Sequence, residues 1–278
     1  MPITDTHAHL YSPDESRYPM IPNPLRPPAG AGTIEHLRRE MAAAGVQRVV
    51  AVQVSTAYRW ENRLLADAVR ENAAWMAGVC TLDPENPDSP NLLRGLIGTR
   101  GVRGMRSLPT SGPTPTLDHP GVHALWTTAA ELGIPLIVNI GVDLADGLDQ
   151  MLRHYPDLPV VLDHGMYPSG RDGLGGPVMP RLLRLADRPN LYVKLSWLVS
   201  GSDREYPFED THAQLRAAVA AFGPERCVWG SAFPCELWAP KATYAQHLAL
   251  FREALGLTPA EQETILSTTP GRLWFAGR

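Results

Sequence analysis

The feature that most constrains this chain is a repeat of short apolar runs, each bounded by glycine, proline or acidic residues and each followed by a helical stretch. The runs fall at residues 3–9, 48–54, 77–82, 102–108, 134–140, 159–164, 191–196 and 227–232. Several are apolar almost throughout, as at Val49-Val50-Ala51-Val52, the pattern of a strand covered on both faces. Between them the spacing predicts helices. Thr33 caps one that ends at Gly45, and others follow over 61–74, 89–97, 120–132, 143–154, 178–187 and 208–222. Two more, over 241–255 and 259–267, lie beyond the last strand, with Thr258 and Glu261 as a capping box. Eight strands alternating with helices predict an α/β fold, a single (β/α)8 TIM barrel with a C-terminal helical extension, over residues 1–278. A doubly wound open sheet is the alternative, weakened because no glycine-rich phosphate turn follows the first strand.

Composition narrows the partners. A net charge of −4 without a basic patch argues against nucleic acid, and no apolar run is long enough to span a bilayer. Cys80, Cys227 and Cys235 are scattered and odd in number, as in a reduced, cytoplasmic protein. The expected partner is a small-molecule substrate, with no nucleic acid, no membrane, and self-association into a homo-oligomer left open.

In a parallel α/β barrel the C-terminal ends of the strands form the mouth where chemistry sits. Asp5-Thr6-His7-Ala8-His9 places two histidines at i, i+2, so both imidazoles share one face of the first strand. His164 ends the sixth strand, Arg106 the fourth and Asn139 the fifth. The other histidines, His36, His119, His123, His154, His212 and His247, fall in helices and read as packing or surface residues. Two in-phase imidazoles plus a third can hold a zinc-like ion. The usual fourth participant is a carboxylate that orients or deprotonates water. Read alone, His-x-His near a terminus also fits two incidental histidines, and context decides.

Around that centre, Arg106 and Arg103 would suit a substrate carboxylate through the guanidinium fork. Lys194 alternates in phase with Tyr192 and Ser196, facing the barrel interior, either to bond a substrate oxygen or to pair with Asp5 or Asp163. Tyr167, Trp197 and Trp238 lie in loops at the mouth and would touch or wall a ligand pocket, with Trp60 a weaker candidate. The proline-rich loop 11–32 offers Tyr11, Arg17 and Tyr18 for ligand contact or for packing the loop down. Cys235 lies near the same face but has no evident histidine partner, which argues against a nucleophile.

Four segments, Gly101-Val102-Arg103-Gly104-Met105-Arg106, Asp163-His164-Gly165, Tyr192-Val193-Lys194-Leu195-Ser196 and Trp229-Gly230-Ser231-Ala232-Phe233-Pro234, follow the Asp-x-His-x-His opening in order. Together they resemble the amidohydrolase superfamily, in its amidohydrolase-related branch of sugar-lactone and pyrone-dicarboxylate lactonases. The resemblance implies a (β/α)8 barrel that hydrolyses cyclic esters or related carbonyl bonds, in several members without a firmly bound metal. It implies His7, His9 and His164 as catalytic residues and metal ligands, with one divalent ion, zinc first, or none. Strand five ends in Asn139 and strand four offers arginines, so a binuclear centre is not expected and decarboxylation is disfavoured.

One position departs from the pattern. Where the family has an aspartate at the end of strand eight, this chain has Ala232. A methyl group neither takes a proton nor binds a metal, and losing a general base costs about 10²- to 10⁴-fold in rate. The reading is a lactonase-like hydrolase in an inactivated form, with position 232 a catalytic position that has lost its carboxylate. An engineered exchange explains the intact flanking pattern best. A natural member that needs no carboxylate and a silent binding barrel are the other accounts, with decarboxylation or lactone isomerisation as other reactions on the same barrel.

Overall fold

Every strand of the sheet pairs in parallel with the next one in the chain, the arrangement that the strand–helix alternation predicts. The computed structural model describes residues 2–276, so residues 1, 277 and 278 of the expected domain lie outside the described residues. The strands are β1 (Thr4–Ala8), β2 (Arg48–Val52), β3 (Met76–Thr81), β4 (Gly104–Ser107), β5 (Leu136–Val138), β6 (Val160–Leu162), β7 (Leu191–Lys194) and β8 (Cys227–Val228). Seven helices fill the crossovers: α1 (Ile34–Ala44), α2 (Arg63–Glu71), α3 (Ser89–Arg100), α4 (Pro120–Glu131), α5 (Ala145–His154), α6 (Met179–Leu185) and α7 (Glu209–Phe222). Beyond β8 come α8 (Cys235–Trp238), α9 (Tyr244–Ala249), α10 (Pro259–Glu263) and α11 (Thr269–Trp274). The fold is a (β/α)8 barrel with a helical C-terminal extension. Among the described residues no helix is long and apolar enough to cross a membrane.

Local chemistry sets the helix ends. The Thr33 hydroxyl accepts from the backbone N–H of His36, and Gly45 closes α1 at φ 73°. Thr258 and Glu261 form the predicted capping box at α10. Tyr11 and Tyr18 of the long proline-rich loop are buried, and Arg17 and Tyr18 both bond Asp67, each at 3.0 Å. Arg17 and Tyr18 pin the loop to α2, Tyr11 packs against Tyr58, and none of the three lines the mouth cavity.

Most strands end one to four residues earlier than the apolar runs do. The lower lumen is filled by Val50, Val52, Ala77, Val79, Ile137, Val161 and Val228, and the C-terminal Trp274 and Phe275 pack against them. Further along the strands the inward residues turn polar: His7, Arg106, Asp163 and Lys194, all buried. Polar groups at that depth need partners, and they find them in one another.

The barrel closes differently at its seam. Among the described residues no strand ladder joins β8 to β1, only a single parallel bridge between Ala8 and Phe233. Instead Thr6 donates from its backbone N–H (3.0 Å) and its hydroxyl (2.6 Å) to the Trp229 carbonyl, and the His9 N–H donates to the Phe233 carbonyl at 2.8 Å. Asp5 completes the seam, accepting from the Ser231 N–H (2.9 Å), the Ser231 hydroxyl (2.6 Å) and the Tyr244 hydroxyl (3.1 Å). The aspartate of the Asp-x-His-x-His motif is therefore a tie between the first and last strands.

Candidate active site

His7 lies on β1 and His9 one residue past its end, and their Nε2 atoms face each other 3.1 Å apart. The other nitrogens decide their tautomers. His9 Nδ1 is 2.8 Å from the Val52 carbonyl, which can only accept, so His9 carries its proton on Nδ1 and presents a lone pair on Nε2. His7 Nδ1 is 3.0 Å from Lys194 Nζ and 3.5 Å from an Asp163 carboxylate oxygen. Burial lowers the pKa of His9 to about 3 and that of His164 to about 4, and it lowers His7 well below its ordinary value. All three imidazoles are neutral near pH 7.

The expected sixth strand stops at Leu162, before His164. Residues 164–167 instead run in left-handed backbone, with φ of 53° at His164, 54° at Gly165, 64° at Met166 and 61° at Tyr167. Such a conformation costs a non-glycine residue about 1–2 kcal/mol, so contacts must hold it. The Tyr167 N–H bonds the His164 carbonyl at 2.8 Å, and the Tyr167 ring stacks on the His164 ring with centroids 5.1 Å apart. The Tyr167 hydroxyl bonds Asn139, and Ser196 Oγ lies 2.7 Å from His164 Nδ1. Gly165 is required as well, because a Cβ there would fall 2.6 Å from the Trp197 ring. The turn thus aims His164 across the mouth, its ring centroid 4.6 Å from that of His7.

Asp163 is held beneath them. One carboxylate oxygen lies 2.7 Å from Lys194 Nζ, and the other 3.0 Å from Arg106 Nε. Burial alone would raise its pKa, but the two cations, Lys194 first, outweigh it and hold the carboxyl well below the usual range. Burial pulls Lys194 the opposite way, lowering its pKa against the Asp163 charge.

A cavity of about 290 Å³ opens over this layer, lined by His7, His9, Arg106, Asn139, His164, Tyr167, Ser196, Ala232 and Trp238, among others. The Trp238 ring stands 5.5 Å from His9. Among the described residues the terminal nitrogens of Arg106 make no hydrogen bond within the chain, which leaves them for a ligand. The structure therefore gathers His7, His9, His164, Arg106, Asn139, Tyr167, Trp238 and Ala232 at one mouth.

Four expectations are corrected. Arg103 is exposed ahead of β4, at the end of the barrel away from the mouth. Lys194 is wholly buried, does not line the cavity and pairs with Asp163, which favours the internal ion pair over the substrate contact. Trp197 is also fully buried, wedged under Gly165 instead of walling the pocket. Trp60 sits in a separate groove beside α2 and α3. Cys235 is buried and its thiol pKa is pushed up by that burial, against the thiolate a nucleophile needs. Ser196, the partner of His164, is a site residue that motif and spacing leave unassigned. Its phase with Lys194 on the seventh strand was the available signal.

A divalent ion fits the imidazole nitrogens. His9 already offers Nε2, and His7 does so in the tautomer that keeps its proton on Nδ1, towards Asp163. His7, Asp163 and His164 also bring ligand atoms within 4.8 Å of one another. The Asp163 oxygens are taken by Lys194 and Arg106, which leaves the histidines as the donor set.

A family model described as amidohydrolase matches residues 4–276. A D-galactarolactone isomerase of Agrobacterium fabrum is 29% identical over 266 residues, covering 92% of this chain and 85% of the relative. An L-fucono-1,5-lactonase of Burkholderia ambifaria is 27% identical over 200 residues, 70% of this chain and 67% of the relative. Among solved structures, a Pseudomonas putida protein provisionally named a 2-pyrone-4,6-dicarboxylic acid hydrolase superposes with a TM-score of 0.83 at 25% identity, covering 98% of this chain and 97% of that one.

Proposed function

The chain belongs to the amidohydrolase family, and from that premise we propose that its barrel mouth acts on a lactone of a small carboxylic acid, adding water to the ring carbonyl. The observation that carries this reading is the facing His7–His9 pair, Nε2 to Nε2 at 3.1 Å, above a cavity into which Arg106 presents unpaired guanidinium nitrogens. The lactone-related names of the relatives support the substrate class.

Each residue has a part in that chemistry. Arg106 anchors a substrate carboxylate through its free N–H groups while Asp163 fixes its Nε. With no ion bound, Lys194 donates to His7 Nδ1 and the His7 proton sits on Nε2, facing the His9 Nε2 lone pair at 3.1 Å, from which a substrate carbonyl oxygen can draw it as negative charge develops there. His164 is oriented by Ser196, and Tyr167 closes one wall. A divalent ion of the kind that imidazole donors suit, zinc among them, would be held by His7, His9 and His164. When bound it would polarise the carbonyl and acidify water.

What the mouth lacks is a base. His9 and His164, with pKa values of about 3 and 4, are weak proton acceptors at neutral pH. Asp163 is held ionised by two cations and is no better. Ala232 lines the cavity with φ 56°, a left-handed conformation in which Asp and Asn are enriched and alanine is uncommon. The backbone there suits a carboxylate side chain, and the chain as it stands is an impaired hydrolase. A natural exchange and an engineered one have the same chemical consequence.

The relation to an isomerase supports a second reading. Attack by water on the ring carbonyl opens a lactone, whereas attack by a hydroxyl of the same molecule moves the ring. The test is a panel of lactones given to this chain and to its Ala232→Asp variant, with products weighed by mass spectrometry. Gain of one water in the variant supports hydrolysis, and a mass-neutral product moves the reading to isomerisation. Binding without turnover in both would leave a silent barrel.

A further inference from the structure

We propose that the barrel mouth selects lactones that carry one carboxylate and several hydroxyl groups, and that it discriminates against lactones with two carboxylates. That the ligand is a lactone rests on the reading above, whereas the ranking of ligands rests on the charges and hydrogen-bonding groups of the cavity.

Charge sets the first limit. Among the residues lining the cavity, Arg106 alone carries a fixed positive charge, and no aspartate or glutamate is among them. Burial keeps His7, His9 and His164 neutral near pH 7. Lys194 lies below the cavity with its Nζ 2.7 Å from an Asp163 oxygen, so its charge is already met. Asp163 also holds Arg106 by Nε, at 3.0 Å, which leaves the terminal guanidinium nitrogens to grip one carboxylate in a fork. A second carboxylate would give up water for a cavity with no further cation, and an unpaired buried charge is costly.

The rest of the polar lining is neutral. Ser55, Thr56, Asn139, Tyr167 and Ser200 bring hydroxyls and an amide to the cavity. Asn139 and Tyr167 bond each other, which uses one position of the amide and leaves its others for a ligand. Groups that both give and accept hydrogen bonds match substrate hydroxyls, which do the same. A flat unsaturated ring without hydroxyls would leave these groups unpaired on binding, and a site built to bond a hydroxyl discriminates strongly against an analogue that lacks it.

The two kinds of lining lie on different sides of the mouth. With the strands in chain order round the barrel, β8 stands opposite β4. Arg106 belongs to β4, while Trp238 and Ala239 follow β8 and line the far side. A bound acid therefore points its carboxylate towards β4 and lays an uncharged part against the Trp238 ring. A volume of about 290 Å³ lies at the small end for ligand pockets, which suits one ring and its substituents.

The test is isothermal titration calorimetry on the chain itself, with a chelator present so that the histidines stay free. Galactarolactone carries one carboxylate and several hydroxyls, and galactonolactone has a hydroxymethyl group in place of that carboxylate. Coumalate carries one carboxylate on a flat pyrone ring, and 2-pyrone-4,6-dicarboxylate carries two. Galactarolactone should bind most tightly, with galactonolactone and coumalate each weaker by about tenfold or more, the first for want of the Arg106 contact and the second for want of hydroxyls. The dicarboxylate should fall about tenfold or more below coumalate. Ser200→Arg, which adds a cation at an exposed position of the rim, should reverse that last order. A dicarboxylate that binds the unaltered chain as tightly as coumalate, or a coumalate that matches galactarolactone, would overturn the inference. Turnover of the same compounds by Ala232→Asp separates the two claims. If that variant opens the pyrone dicarboxylate and leaves galactarolactone intact, the inference falls and the lactone reading stands. If the expected ranking holds but no compound is opened or isomerised, the lactone reading falls and the selectivity for hydroxylated monoacids stands.

Discussion

Two segments leave the barrel at its mouth in left-handed backbone, residues 164–167 after β6 and Ala232 after β8. After β6 the strained turn directly follows a carboxylate, Asp163, held between Lys194 and Arg106. After β8 the backbone is held just as firmly, through Asp5 and Ser231, but the side chain it presents to the cavity is a methyl. The difference separates two kinds of acid. A carboxylate whose oxygens both face cations is held ionised, and it serves to neutralise and orient its neighbours. A carboxylate presented to the cavity without such partners would be free to take a proton. In this account Asp163 is structural and position 232 is the chemical one.

The largest effect is expected at Asp163. Asp163→Asn leaves two buried cations with no counter-charge and should cost about 3–5 kcal/mol, seen in denaturant unfolding as a lowered midpoint at unchanged slope. A loss under 1 kcal/mol would mean the carboxylate is not what holds this layer together.

Lowering the pH has an effect of comparable size. His9, His164 and His247 have folded pKa values of about 3, 4 and 4, below the unfolded value near 6.5. Between those values the unfolded chain binds more protons than the folded one. Their stabilising effect is therefore complete above about pH 6.5 and is lost as pH falls towards 4, by about 1.4 kcal/mol per histidine per unit. Thermal melts from pH 7 to 5 should show that decline. A flat profile would contradict neutral, buried imidazoles at the mouth.

Arg106→Lys, made in the Ala232→Asp background, keeps the charge and removes the fork. It should raise KM about 10- to 100-fold, from a charged hydrogen bond worth about 1.5–3 kcal/mol, with a smaller change in kcat. An unchanged KM would take Arg106 out of substrate binding. The smallest effect is expected from Tyr167→Phe, which loses the bond to Asn139 and should cost about 1 kcal/mol of stability. A much larger loss would show that this bond, more than ring stacking, holds the left-handed turn.

The barrel was legible because its strands are apolar runs fenced by glycine and proline, and because the caps at Thr33 and Thr258 act locally. The strand ends were less so. No turn residue marks an end at Leu162 or at Val228, but the backbone leaves the ladder there for left-handed turns that side-chain contacts hold. The histidines, Arg106, Asn139, Tyr167 and Trp238 were readable as residues at strand ends or in mouth loops. Lys194 and Trp197 misled because alternation tells inside from outside and not depth along the lumen. Lys194 sits below the mouth against Asp163, and Trp197 sits under Gly165. Arg103 misled because one residue beyond the start of a four-residue strand is already the opposite end of the barrel.

Position 232 is where the proton acceptor belongs in the proposed hydrolase. The most direct test compares Ala232→Asp with Ala232→Asn, which have nearly the same shape and both tolerate left-handed backbone, while only the first can accept a proton. The measurement is kcat/KM for hydrolysis of whichever lactone in the panel is turned over. The aspartate form should exceed the asparagine form by about 100-fold or more, with the asparagine form no faster than the chain itself. Equal rates for the two variants would contradict it, showing that position 232 acts through shape and that the base lies elsewhere.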